Sequence, residues 1–241
     1  MASARWEAAH VADVLHYCAG APERLLGQQI PVAGGVDVTF REPFGVVAVI
    51  APWNFPMPIA SWGFAPALAA GNTVVLKPSE LTPLTALRLA ELARRAGIEE
   101  DVFTVLPGLG PTVGEALVRH PKVPKICFTG STTVGRRVLS IAGERIVPAT
   151  AELGGKSATL VFADADLGAA ASALPGAVFD NAGQDCCARS RLLVESSVLD
   201  EFLDLLAPEV AAFTVGDPRD PTTRMGPLIS AAHRDRVEAA S

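Results

Sequence analysis

Two residues of the sequence combine a reactive side chain with surroundings that suit catalysis. Cys186 lies in NAGQDCCARS among small and polar residues, whereas an inert cysteine is usually buried among apolar ones. Glu152 lies in AELGGKS beside two glycines, which allow another part of the backbone to approach closely. The thiol could act as a nucleophile and the carboxylate as a general base. A buried thiol and a surface carboxylate are the alternative interpretations of each residue in isolation.

Three further segments have residues that suit the binding of a nucleotide. GLGPTVG (108–114) and FTGSTTVG (128–135) lie at predicted strand-to-helix junctions, where free backbone N–H groups can hold a pyrophosphate. The carboxylate of KPSE (77–80) could accept hydrogen bonds from ribose hydroxyls and would repel a 2′-phosphate. Taken singly, the first segment is not the spaced G-x-G-x-x-G form, the second could be a helix N-cap by Ser131, and the third a solvated turn.

Strands and helices are predicted to alternate through the middle of the chain. Apolar runs typical of buried parallel strands are followed by segments with helical periodicity and capping residues. The predicted strands cover residues 45–52, 72–78, 102–108, 125–130 and 145–153, and the helices cover 58–70, 82–97, 111–119 and 131–143. Thr82 is expected as the N-cap of the second helix, with Pro83 in its first position. This alternation predicts an α/β fold with a doubly wound, mostly parallel, Rossmann-like sheet.

The loops that follow the strands should come together at one edge of this sheet. Crossovers between parallel strands are right-handed, and ligands bind outside the carboxyl ends of the strands. We therefore expect the loops that carry Asn54, Lys77, Gly110 and Ser131 to converge.

Other elements are predicted on both sides of the sheet. Before it, residues 3–26 indicate a helix that ends near Gly20, and residues 28–43 indicate a hairpin. After it, strands over 157–167 and 191–198 alternate with helices over 168–179 and from Leu199 onward. The second series predicts the start of another α/β domain.

Composition and charge exclude several classes of protein. With 20 basic against 26 acidic residues and no Lys/Arg-rich run, a nucleic-acid or anionic-membrane partner is disfavoured. The uncharged stretch from Pro43 to Leu76 is long enough to span a bilayer, but four internal prolines favour buried elements of a globular protein. The four cysteines and four histidines match no zinc-site spacing, so no metal site is predicted. Without a signal-peptide core at its start, the chain is expected in the reducing cytoplasm.

Taken together, the motifs closely resemble those of the NAD(P)-dependent aldehyde dehydrogenase superfamily. Their order and spacing are those of the family, including the step from Glu152 to Cys186, and they cover essentially the whole chain. The matching segments are APWNFP (51–56), KPSE (77–80), GLGPTVG (108–114), FTGSTTVGR (128–136), ELGGKS (152–157), GQDCCARSR (183–191) and GDPRDPTTRMGPL (216–228).

The resemblance implies a role for each matching residue. Cys186 would be the nucleophile that forms a thiohemiacetal and then a thioester, with Cys187 accessory, Glu152 the base and Asn54 the oxyanion donor. The cofactor would be NAD, with NADP as the open alternative. Residues implied in cofactor binding are Ala51, Pro52, Trp53, Lys77, Ser79, Glu80, Gly110, Gly130, Ser131 and Leu153.

The resemblance also implies a domain organisation and partners. Residues 1–24 would form an N-terminal helical segment, 25–43 an oligomerisation hairpin, 44–153 the NAD-binding domain and 154–241 part of a catalytic domain. The hairpin implies a homodimer or homotetramer. The substrate would be a small-molecule aldehyde, with aliphatic, aromatic, betaine and amino aldehydes all open.

Two departures from the family pattern leave alternatives open. Gly63 follows Trp62 where many members have a lysine. The chain stops before the family's E-x-F-G-P segment, so we expect a fragment that could retain only cofactor-binding or assembly capacity. A CoA-acylating relative would lack a glutamate at the position of Glu152. A short-chain dehydrogenase is excluded because Tyr17, the only tyrosine, is followed four residues later by Ala21 rather than lysine.

Overall fold

The computed structural model describes residues 2–240, which divide into two compact units. The unit Ala4–Leu153 is named the sheet unit, and the chain from Gly154 onward is named the cysteine unit. Among the described residues, no helix is both long enough and apolar enough to cross a membrane.

The sheet unit begins with a helix and a small hairpin. Helix α1 (Ala2–Ala19) ends close to Gly20, as the sequence predicts. Strands β1 (Gln29–Ile30) and β2 (Asp37–Val38) then pair antiparallel, which confirms the predicted hairpin. Gly34, with φ 73°, takes the left-handed conformation that its turn requires.

Five parallel strands form the main sheet, in the order β5-β4-β3-β6-β7. The strands are β3 (Val46–Ile50), β4 (Thr73–Lys77), β5 (Phe103–Val105), β6 (Lys125–Gly130) and β7 (Ala149–Leu153). From the central β3 the chain extends first toward one edge, through β4 and β5, and then returns to add β6 and β7 on the other side. This arrangement confirms the predicted doubly wound parallel sheet.

Helices cover both faces of this sheet because the central strands are apolar on both sides. In β3, Val47 and Val49 pack toward α1 and the next two helices, whereas Ala48 packs toward the last two. These later helices are α2 (Pro56–Ala69), α3 (Leu84–Arg95), α4 (Glu115–Arg119) and α5 (Thr132–Glu144). Near-continuous burial of β3 and β4 explains why the sequence between them carries no charge until Lys77.

Two predicted boundaries in the sheet unit were wrong. Thr82 does not cap α3: Pro83 is the N-cap, because Leu87 N–H donates to the carbonyl of Pro83, and the Thr82 hydroxyl is buried without a partner. The strand predicted from residue 145 begins only at Ala149, since Ile146 has φ 55° and interrupts the extended backbone. In addition, the segment Gly110–Gly114 forms a π-helical turn ahead of α4.

The cysteine unit contains a two-stranded parallel sheet packed against helices. Strands β8 (Ala158–Val161) and β9 (Arg191–Val194) pair in register, and helices α6 (Leu167–Phe179) and α7 (Leu199–Ala211) pack on them around the fully buried Phe202. A last helix, α8 (Ala231–Glu238), was not predicted; Ser230 accepts the N–H of His233 and caps it.

Gly63 is the position where α2 lies closest to β3. An ideal Cβ at Gly63 would lie 2.6 Å from Cγ1 of Val49, a stiff β-branched side chain in the central strand. We expect Gly63→Ala to lower the free energy of unfolding by about 1 to 2 kcal/mol, because overpacking outweighs the gain in helix propensity.

The matched control is Gly143→Ala in α5, where an added Cβ would meet no atom within 4 Å. This change should raise the free energy of unfolding by about 0.5 to 1 kcal/mol. Urea denaturation measures the free energy of unfolding of both variants. If both changes stabilised the protein equally, the close packing of α2 on β3 would be contradicted.

Candidate active site

Segments from three strand ends lie together at one edge of the main sheet. In the parallel register, Ile50 pairs with Lys77 on one side and with Phe128 on the other. The direction in which strands are added to the sheet reverses between β3 and β6, and such a switch point opens a crevice outside the carboxyl ends of the strands. The segment 51–54 follows β3 at this crevice, and Gly130 and Ser131 follow β6.

Lys77 is held in a buried position at the end of β4. Its side chain is only 3% exposed, and its ammonium donates to the carbonyl oxygen of Pro78 at 2.8 Å. The carboxylate of Glu80 lies 3.7 Å away and is half exposed. Burial lowers the pKa of Lys77, while the neighbouring Glu80 carboxylate acts in the opposite direction. Ser79 is buried between them and accepts the N–H of Leu81.

Helix α5 begins with a side-chain cap at the carboxyl end of β6. Ser131 is its N-cap, and the hydroxyl accepts the N–H of Val134 at 3.4 Å. Gly130 precedes it, and a Cβ there would lie 2.7 Å from the ring of Phe128. Unpaired N–H groups in the first turn of a helix attract negative charge, which suits a pyrophosphate.

Two glycines bring helical segments close to the sheet edge. A Cβ on Gly114, in the π-helical turn that begins at Gly110, would lie 3.6 Å from Cδ of Lys77. A Cβ on Gly135 in α5 would lie 2.3 Å from the side chain of Leu153. An added side chain would therefore crowd Leu153 at Gly135, whereas at Gly114 it would make only ordinary van der Waals contact with Lys77.

Asn54 lies in the short segment between β3 and α2, and α1 supports this segment. Trp53 and Asn54 are half-buried. Of the first three residues of α2 only Met57 has an N–H group, because Pro56 and Pro58 have none. Glu7 in α1 accepts this N–H at 3.4 Å. Burial raises the pKa of Glu7, and the hydrogen bond from Met57 acts against this rise.

A second contact links the same two helices farther along. The Nε1–H group of Trp62 in α2 donates to Nε2 of His10 in α1 at 3.0 Å. The ring of Trp6 stacks on His10 at a centroid distance of 4.9 Å. The sequence analysis missed these contacts, since no sequence pattern pairs a glutamate with a helix start fifty residues later.

Glu152 lies near the carboxyl end of β7, the outermost strand of the sheet beside β6. Its backbone pairs with Thr129 across β6 and β7, and its residue is exposed to solvent. Leu153, the next residue, is half-buried against α5. The carboxylate of Glu152 is therefore accessible to solvent.

In the cysteine unit, a strained turn leads directly to the cysteine pair. Asn181, Ala182 and Gly183 are consecutive left-handed residues, with φ values of 49°, 58° and 70°. Gln184 stabilises the turn: its side-chain amide donates to the carbonyl of Asn181, and its oxygen accepts the N–H of Ile229. Backbone strain of this kind is common at functional sites. Gln184 is a positioning residue that the sequence analysis missed, although it lies inside the GQDCC motif.

Cys186 is half-buried, and its sulfur lies 3.7 Å from that of Cys187. The carboxylate of Asp185 accepts the N–H of Cys187 at 3.0 Å. Burial, the neighbouring thiol and the Asp185 charge together raise the pKa of Cys186 to about 11. The thiol is therefore protonated at neutral pH and needs a base to act as a nucleophile.

Gly155 has a specific packing reason for being glycine. A Cβ at this position would lie 2.7 Å from the carbonyl oxygen of Cys186, so any side chain would have to displace backbone. Gly155 of the ELGG motif thus allows its backbone to lie against the peptide of Cys186.

The structure therefore groups the predicted residues into two sets. The first set, at the carboxyl edge of the sheet unit, comprises Ala51, Pro52, Trp53, Asn54, Lys77, Ser79, Glu80, Gly110, Gly130, Ser131, Glu152 and Leu153. The second set, in the cysteine unit, contains Cys186 with Gln184, Cys187 and Gly155 around it.

Comparison with known proteins relates the chain to a large group of enzymes. The profile of the aldehyde dehydrogenase family matches residues 1–241. Phenylacetaldehyde dehydrogenase of Pseudomonas fluorescens is 46% identical, over 98% of this chain and 47% of its own. The NADP/NAD-dependent aldehyde dehydrogenase PuuC of Escherichia coli (strain K12) is 50% identical, over 83% of this chain and 41% of its own.

A solved structure shows the same fold. The crystal structure of PnpE from a Pseudomonas species, in complex with nicotinamide adenine dinucleotide, matches with a TM-score of 0.92 and 45% identity. The match covers 95% of this chain and 47% of that chain. The chain thus spans about half the length of the curated relatives it matches.

The raised pKa of Cys186 predicts how its alkylation depends on pH. Because the thiolate reacts and the pKa is about 11, the rate with iodoacetamide should rise about tenfold per pH unit from 7 to 9. An ordinary thiol, with a pKa of about 8.5, would already level off near pH 9. Tandem mass spectrometry distinguishes alkylation of Cys186 from that of Cys187. If the alkylation rate of Cys186 reached a plateau by pH 9, the raised pKa of Cys186 would be contradicted.

Proposed function

This chain belongs to the aldehyde dehydrogenase family, and on that premise we propose that the protein oxidises an aldehyde to a carboxylic acid with NAD⁺. The observation that carries the proposal is the family match over residues 1–241, which includes Cys186, Glu152 and Asn54 in their motifs. The set of residues at the carboxyl edge of the sheet supports cofactor binding at the strand switch point.

The residues at the sheet edge suit two parts of a dinucleotide, the pyrophosphate and the adenosine ribose. The start of α5 at Ser131 would hold the pyrophosphate, and Lys77 and Glu80 would contact the adenosine ribose. Glu80 favours NAD⁺ over NADP⁺, because its carboxylate would repel a 2′-phosphate. The relative PnpE was solved with nicotinamide adenine dinucleotide, whereas PuuC is named for both cofactors, so the ratio of kcat/KM for NAD⁺ and NADP⁺ tests this preference.

In the proposed reaction, Cys186 first attacks the carbonyl carbon of the aldehyde. The sulfur–carbon bond forms as the carbonyl π electrons move to oxygen, which gives a tetrahedral thiohemiacetal. The amide of Asn54 and the backbone N–H of Cys186 would donate to this oxyanion. Bound NAD⁺ supplies the acceptor for the hydride that the substrate carbon must lose. Cys186 then carries the acyl group as a thioester.

Glu152 is proposed as the general base. Its exposed carboxylate can take the proton of the Cys186 thiol, of the hydrolytic water, or of both in turn. Hydrolysis breaks the thioester bond, releases the carboxylic acid and returns the thiol. A glutamate at this position favours water over CoA as the acyl acceptor.

The hairpin of β1 and β2 is proposed as a contact between subunits. Two of its apolar side chains are strongly exposed, Val36 at 79% and Phe40 at 81%. Exposed apolar surface of this kind marks sites of association. A homodimer or homotetramer is therefore proposed, and light scattering of the purified protein measures its mass. An aldehyde is the proposed substrate partner, and the cytoplasm is the proposed location.

The oxyanion role of Asn54 predicts a loss of rate. Asn54→Ala should lower kcat by about 10² to 10³, with little change in NAD⁺ affinity, because the lost hydrogen bond forms in the transition state. Cys186→Ala sets the inactive baseline. NADH absorbance with aliphatic, aromatic, betaine and amino aldehydes measures the rates, and calorimetry measures NAD⁺ binding. An active Cys186→Ala variant would refute the proposed chemistry, and NAD⁺ binding without turnover in the wild type would favour a cofactor-binding module.

The base role of Glu152 predicts accumulation of the intermediate. In Glu152→Gln the thiol should still react slowly through its small thiolate fraction, while hydrolysis should be slower still. The thioester should therefore persist, and mass spectrometry should detect an acyl group on Cys186. The wild-type protein, supplied with CoA, should still release mainly free acid. Faster formation of acyl-CoA than of free acid would instead assign the protein to the CoA-acylating relatives.

A further inference from the structure

Cys187 and Asp185, which the proposed reaction does not use, form a compact group of donor atoms with the nucleophile Cys186. The two sulfurs lie 3.7 Å apart, and both thiols are free of disulfide bonds. The sulfurs and a carboxylate oxygen of Asp185 all lie within 4.8 Å of one another. Within residues 2–240, no other set of three His, Cys, Asp or Glu side chains is arranged in this way.

The spacing of the sulfurs suits a shared metal ion better than a disulfide. A tetrahedral ion with zinc–sulfur bonds of about 2.3 Å holds its two sulfurs about 3.8 Å apart, close to the observed separation. A disulfide needs sulfurs about 2.05 Å apart and Cα atoms at least about 4.4 Å apart. Cα atoms joined by one trans peptide, as here, are only about 3.8 Å apart. A disulfide would therefore strain the backbone, whereas the observed sulfur separation already matches that of an ion-bound pair.

The third donor is already oriented toward the pair. Asp185 accepts the N–H of Cys187, and this hydrogen bond holds its carboxylate near the two thiols. Asp185 is half-buried and Cys187 is exposed, so an ion can enter from solvent. Two contacts hold the backbone of the cysteine pair in place. They are the hydrogen bonds of Gln184 and the close approach of Gly155 to the carbonyl of Cys186. Two thiolates and a carboxylate leave one position of a tetrahedral ion for water.

We propose that Cys186, Cys187 and Asp185 bind one Zn²⁺ ion, and that the bound ion inhibits the protein by occupying the sulfur of Cys186. Each thiol releases its proton to solvent when it binds the ion. The inhibition rests on the proposed function, because it requires Cys186 to be the nucleophile; the binding does not. Adjacent cysteines match none of the usual spacings of zinc sites, so only the side-chain geometry indicates this one.

Titration of the protein with Zn²⁺ alone, without aldehyde or NAD⁺, tests the binding. Calorimetry should give one ion per chain in the wild type, and Cd²⁺ should produce the ultraviolet charge-transfer absorption of bound thiolate. Cys187→Ser should weaken binding by more than about tenfold, since even the loss of a partner of a ligand costs that much. Asp185→Asn should also weaken it, while its amide oxygen still accepts the N–H of Cys187 and preserves the turn.

Cys127→Ser is the matched control, because Cys127 is a half-buried thiol on β6 outside the group. It should bind Zn²⁺ as the wild type does. Equal affinity in Cys187→Ser and the wild type would overturn the site. Binding of Zn²⁺ at several weak sites, unchanged by Cys187→Ser and by Cys127→Ser, would mean an adventitious ion only. That result would overturn the proposed site as well.

Inhibition is tested separately, with each variant compared with its own rate in the absence of Zn²⁺. The ion should inhibit the wild type, a chelator should restore the rate, and Cys187→Ser should need more than about tenfold more Zn²⁺ for the same inhibition. Stoichiometric binding without inhibition would overturn the inhibitory role. A wild type that oxidises no aldehyde would refute the proposed function, while the binding titration would still decide the metal site.

Discussion

The parallel pairing of β3 with β6 sets the positions of the loops that are proposed to bind the cofactor. This pairing reverses the direction in which strands are added, so the segments after the two strands are not covered by a crossover helix between them. Asn54 and Ser131 both occupy these segments. Since β3 is buried on both faces, its register follows from packing: Val47 and Val49 fit one layer of helices and Ala48 fits the other.

The cysteine unit depends on local strain that its surroundings must offset. Asn181 and Ala182 are held in the left-handed region, which costs about 1 to 3 kcal/mol for each such residue. The hydrogen bonds of Gln184 to Asn181 and to Ile229 stabilise this turn from two sides. Cys186 thus follows a turn whose conformation depends on these hydrogen bonds.

The segment that carries Asn54 shows how a remote element can support a site. Prolines at both sides of Met57 leave one N–H group without an intrahelical partner at the start of α2, and Glu7 in α1 accepts it. A hydrogen bond to a carboxylate is stronger than one between neutral groups. The loop between β3 and α2 is therefore anchored by its strand on one side and by α1 on the other.

The sequence alone was sufficient for the alternation of elements, the parallel sheet and the convergence of the loops after its strands. These follow from local apolar patterns, from glycine and proline positions and from the handedness of crossovers, as at Ser131, where the predicted cap formed. Tertiary structure decided what depends on partners distant in the chain. The hydroxyl of Thr82 did not cap α3, Glu7 met Met57, and Gly155 met the carbonyl of Cys186. Side-chain torsions also set the separation of the Cys186 and Cys187 sulfurs, since adjacent residues in a sequence have no fixed distance between their side-chain ends.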